Sequence, residues 1–102
     1  MLDTHQHRLY HYSVTFQTSD LALLGCLRAL AQYAQTTGNP RIPWGGTKYE
    51  DWKQAGQQAT FRFTSAAYRS SFIAQVERLL PGGLWNITGQ RDDDPATRQT
   101  AI

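Results

Sequence analysis

The most regular pattern in the chain is the run Gln58-Ala59-Thr60-Phe61-Arg62-Phe63-Thr64-Ser65. Ala59, Phe61 and Phe63 alternate with Thr60, Arg62 and Thr64. A period of two with one apolar side predicts a strand whose sheet is covered on one face only. A second alternation spans residues 8–17. Tyr10, Tyr12, Val14 and Phe16 share one side, and His11, Ser13, Thr15 and Gln17 share the other. Aromatic and β-branched residues suit a pleated surface, so this stretch also predicts a strand.

The intervening pattern changes to helical spacing. Leu23, Leu27, Leu30 and Ala34 recur on one face, with Leu24 and Ala31 beside them and Gly25, Arg28, Gln32 and Gln35 opposite. Thr18-Ser19-Asp20 supplies capping oxygens, so a helix is expected over about 20–36, ended by Gly38 and Pro40. A second helix follows Ser65, with Phe72, Ile73, Val76, Leu79 and Leu80 as its apolar stripe and Pro81-Gly82-Gly83 as its stop. Residues 47–54 are rich in Lys48, Glu50, Asp51 and Lys53, which reads as a polar edge strand, joined to the next strand by a turn at 55–57. Residues 84–88 predict a short last strand.

The order strand, helix, strand, strand, helix, strand is that of a ferredoxin-like βαββαβ sandwich: a four-stranded antiparallel sheet with two helices on one face. The right-handed crossover rule places the strands at 8–17 and 59–64 in its centre. Residues 1–7 read as a flexible arm, 8–90 as one α+β domain and 91–102 as a polar tail, loose or docked on something.

Composition narrows the picture. A chain of 102 residues forms one domain and buries about two-thirds of its unfolded surface. The single cysteine, Cys26, lies in an apolar helical pattern and reads as a buried thiol, outside any disulfide. No apolar run approaches the roughly 18 residues of a membrane span. With no signal-like N-terminus, the reading is a cytoplasmic protein. Net charge is +2 with the arginines and lysines spread along the chain, so nucleic-acid binding is only weakly supported.

Four groups of residues are candidates for chemistry or binding. His11, Ser13, Thr15, Thr60, Arg62 and Thr64 form the polar sheet face, which suits solvation, a homodimer through the sheet, or a pocket closed by a second subunit. Phe61, Phe63, Tyr10 and Tyr12 have the wrong parity for stacking bases on that face. His5, His7 and His11 with Asp3 could share parity on an extended first strand, a weak zinc or iron ligand set set against an ordinary surface cluster. Arg41, Ile42 and Trp44, in a loop rich in proline and glycine, and Trp52 nearby form a candidate partner-binding surface. Asp92-Asp93-Asp94 before Pro95 reads as a solvated acidic run that could also pair with a basic face. No phosphate-binding glycine loop, CxxC pair or nucleophile motif is present, and no cofactor is implied. The expectation is a small non-enzymatic binding or adaptor module, self-associating through its sheet and contacting a protein partner. The alternatives are a dimeric α+β-barrel enzyme or sensor using His11 or Arg62, and a nucleic-acid-binding module.

Overall fold

The two alternating stretches pair with each other. In the computed structural model, which describes residues 10–34 and 49–95, β1 (Tyr12–Gln17) and β2 (Gln58–Phe63) form an antiparallel ladder running from Tyr12 opposite Phe63 to Gln17 opposite Gln58. That register places Val14, Phe16, Ala59, Phe61 and Phe63 on the buried face, each at most 1 % exposed. The other parity carries Thr15, Thr60 and Arg62, all half-buried, with Ser13.

Helices α1 (Leu21–Ala34) and α3 (Ala66–Leu79) pack on the apolar face. Both begin at capping side chains. The Asp20 carboxylate accepts from the Ala22 and Leu23 amides at 2.9 and 3.2 Å, and the Ser65 hydroxyl accepts from the Tyr68 amide at 3.1 Å. Each cap satisfies amides that a helix N-terminus leaves without internal partners. From α3, Phe72 packs onto the apolar face of both strands. Its ring lies 5.2–5.5 Å from those of Phe16, Phe61 and Phe63, within the range where tilted aromatic pairs attract. β3 (Asn86–Arg91) follows a short helical turn at Gly82–Leu84 and pairs antiparallel with the other side of β1.

The fold is therefore α+β, but the four-stranded ferredoxin-like sheet is overturned. Among the described residues the sheet has three strands, in the order β2-β1-β3, and there are three α-helices. The difference is local. Residues 49–54, expected as an edge strand, form the short helix α2 (Tyr49–Gln54). Their sequence alternates on neither side, so a strand would bury nothing, whereas one helical turn buries Trp52. Glu50 and Asp51 lie in the first turn and Lys53 in the last, the arrangement the helix dipole favours. The end is a Schellman-type cap: Gly56 has φ +70° and the Gln57 amide donates to Trp52 O at 2.8 Å. Consequently, among the described residues, only β1 is central and β2 forms an edge of the sheet. Cys26 also departs from expectation: it is exposed on the outer side of α1, because the core takes Leu23, Leu24, Leu27 and Ala31 instead.

Two outcomes test this core. Phe72→Ala should lower unfolding free energy by about 3–5 kcal/mol in urea titration, because it leaves a ring-sized cavity among Phe16, Phe61 and Phe63. Tyr10 is buried, and burial pushes its phenol above the ordinary value of 10.0. The folded chain then holds that proton after the unfolded chain has released it. Stability is unaffected below pH 10 and falls as pH rises through the interval, and ultraviolet difference titration should show Tyr10 ionising after the exposed tyrosines, a step that Tyr10→Phe removes.

Candidate functional site

Among the described residues, side-chain hydrogen bonds run along the polar face of the sheet. Toward the middle, the Thr15 and Thr60 hydroxyls meet at 2.8 Å across the β1–β2 pair. Further along, Thr88 Oγ1 donates to Gln58 Oε1 at 2.9 Å, and Asn86 Nδ2 donates to Gln17 Oε1 at 3.1 Å. Thr88 can reach Gln58 because β3 bulges there: Thr15 faces Gly89 while Phe16 faces Ile87.

At the other end of the face, past β3, the acidic run turns back onto the sheet. The Asp94 amide donates to His11 O at 2.8 Å. His11 Nδ1 lies 2.6 Å from Asp92 O; a carbonyl only accepts, so that ring nitrogen carries the proton. Arg62, projecting from the polar face, donates from Nε to Asp94 O at 2.6 Å and pairs its Nη2 with the Asp94 carboxylate at 3.4 Å. Arg69 approaches from α3, in the helical layer. Its Nη1 donates to Arg91 O at 2.9 Å and its Nη2 pairs with the Asp92 carboxylate at 2.8 Å. Its guanidinium also lies 5.8 Å from the Tyr12 ring centroid. Two arginines from opposite sides of the sheet thus grip one acidic turn. The arginine side chains are 11 % and 12 % exposed; with Asp94 at 21 %, the Arg62–Asp94 bonds operate where water screens them less than at an open surface, whereas Asp92 at 74 % leaves its pair with Arg69 open to solvent. Arg69 Nε is buried and has no acceptor among the described residues, an omission that typically costs about 1–3 kcal/mol.

The residues singled out from the sequence are distributed as follows. His11, Ser13, Thr15, Thr60 and Arg62 lie on or beside one sheet face, with Thr64 one residue past β2. Ser13, opposite Arg62, is buried at 2 % exposure. Trp52, expected as a partner contact, is a core side chain whose indole N–H donates to Thr18 O at 2.9 Å. Arg41, Ile42 and Trp44 lie outside the described residues, as do His5 and His7. Among the described residues no three His, Cys, Asp or Glu side chains gather as metal ligands, and no helix is long and apolar enough to cross a membrane. Arg69 and Tyr12 were not among the sequence candidates. Asp92 and Asp94 were seen as carboxylates, and only the fold reveals what they meet.

No protein-family model matches the chain, and neither a curated protein nor a solved structure is significantly similar to it.

Removing one partner of the grip separates its parts. Arg62→Ala should cost about 1–3 kcal/mol of stability by stranding the Asp94 carbonyl and leaving the Asp94 carboxylate to Arg91 at 3.8 Å. Asp93→Ala, at an exposed position that neither arginine reaches, should stay within about 0.5 kcal/mol of wild type. Equal effects in denaturant unfolding would mean that the turn is not held as described.

Proposed function

We propose that this chain is a small non-enzymatic protein-interaction module that self-associates through the outer edge of β2. The observation that carries this reading is the state of that edge. The Thr18 amide donates to Gln57 O at 3.1 Å, in register with the β1–β2 ladder. Antiparallel bonding alternates, so Ala59, Phe61 and Phe63 bond toward β1, and the N–H and C=O of Gln58 and Thr60 point away from it. No described strand pairs with that side. Unpaired strand edges are templates for another strand. This one is rich in β-favouring residues and has no proline. Two copies related by a two-fold axis could pair β2 with β2 antiparallel, extending two three-stranded sheets into one.

The groups that an enzyme or sensor would use on the sheet face are already engaged: His11 by Asp92 O, and Arg62 by Asp94. Arg62 and Arg69 also spend their charge on the chain's own aspartates, which weakens the case for phosphate contacts.

Light scattering after size exclusion tests the edge. Wild type should run as a dimer. Thr60→Pro should run as a folded monomer, since it deletes an outward N–H while leaving the β1 ladder bonded. Thr60→Val, which loses the Thr15–Thr60 hydroxyl contact but keeps the N–H, should remain dimeric. Wild type that stays monomeric at high micromolar concentration, or Thr60→Pro that dimerises equally well, contradicts the proposal.

A further inference from the structure

We infer that the Arg62–Arg69 grip is a binding site for acidic peptide, and that residues 92–94 are an intramolecular ligand filling it. The site uses the Arg62 side chain on the polar face rather than the outward main chain of β2, and its test is read on β1, away from the edge proposed to dimerise.

Three features point to peptide as the ligand class. First, the contacts read a polypeptide main chain as well as its charges. The His11 ring and the Arg62 Nε each donate to a backbone carbonyl, of Asp92 and Asp94, and His11 O accepts a backbone amide. A nucleic acid or a free phosphate offers no such alternating amide and carbonyl; an extended peptide beside β1 does. Second, the two carboxylates gripped are two residues apart, Asp92 by Arg69 and Asp94 by Arg62, while Asp93 between them is exposed. That spacing defines an Asp-X-Asp pattern with a free middle position. Third, the fit is incomplete. Arg69 uses both terminal nitrogens, but its buried Nε–H finds no acceptor among the described residues. The Asp92 carboxylate is 74 % exposed and meets Arg69 through one oxygen at 2.8 Å. A ligand that brings a second oxygen to Arg69 would satisfy more of the guanidinium than the chain's own turn does.

A tethered ligand competes at an effective concentration of about millimolar. The site is therefore closed to dilute acidic segments and opens to partners that outcompete the turn, or when the turn's charge is lost. Binding by a second molecule is thereby coupled to release of residues 92–94.

The test uses the full chain carrying Asp92→Lys and Asp94→Lys, in which like charge expels the turn from the two arginines. The probe is the peptide Gly-Gln-Arg-Asp-Asp-Asp-Pro, and its control has Asn at the first and third Asp. Binding is read from amide shifts at His11, Tyr12 and Ser13 with peptide up to about millimolar, the range set by the tether. Wild type should show little binding. The double variant should bind the acidic peptide, bind the control at least about tenfold more weakly, and lose binding when Arg69→Ala is added. Should the lysine variant fail to fold, the isosteric Asp92→Asn, Asp94→Asn chain takes its place with the same expectations. Equal binding of the two peptides, or no binding by a folded variant, overturns the inference. So does failure of both variants to fold, since the turn would then be a structural part that nothing can replace.

Discussion

The whole architecture rests on one parity relation. β1 and β2 are registered so that every apolar side chain of both strands turns the same way. A slip of one residue would send Phe61 and Phe63 to the polar face and Thr60 and Arg62 beneath the helices. The slip is prevented from the apolar side by Phe72, wedged among Phe16, Phe61 and Phe63. On the polar side it is opposed by the Thr15–Thr60 contact and by Arg62, which can reach Asp94 only from its present position. Packing and hydrogen bonding thus specify the same register, the agreement between levels that gives a chain one structure.

A sheet covered by helices on one face has a second face to manage, and this chain does so along its length. The middle and far end are closed by threonine and amide side chains bonding one another. The near end is closed by the chain's own acidic turn. The turn matters because the Arg62 side chain, near the end of the β1–β2 ladder, is only 11 % exposed, a setting where an unmet charge would be costly. It supplies acceptors for two arginines that approach from different layers, and so ties the helical side of the sheet to its polar side. Edges are treated unequally. β3 is bulged at Thr88 and almost wholly exposed, features that discourage further pairing. β2 has neither device, which makes it the side on which association is most readily built.

Much of this was legible in the residues. The parity of both long strands, the helical spacing of α1 and α3, and capping by Ser65 and by one of Thr18, Ser19 and Asp20 follow from local pattern and chemistry; the structure gives that second role to Asp20. The misreading of 49–54 has a physical origin. Charged residues that would protect an edge strand are also good helix-end residues, and a single buried tryptophan carries no periodicity. The loss of that strand also moved β2 from the centre to the edge. Cys26 illustrates a different limit: it borders the correctly read stripe of Leu23, Leu24, Leu27 and Ala31, and the helix turns it outward. The grip on Asp92 and Asp94 was beyond reach because its partners, His11, Arg62 and Arg69, are 81, 32 and 23 positions distant along the chain. Only the sheet order brings them together.

The central claim is the registered β1–β2 pair with β1 inside and β2 at the edge. Amide hydrogen exchange, read residue by residue on chain diluted below self-association, tests it most directly. The account predicts slow exchange at consecutive positions along β1, which is bonded on both sides, and alternating exchange along β2, slow at Ala59, Phe61 and Phe63 and fast at Thr60. Uniform protection along β2 in the dilute chain, or alternating protection along β1, would contradict it.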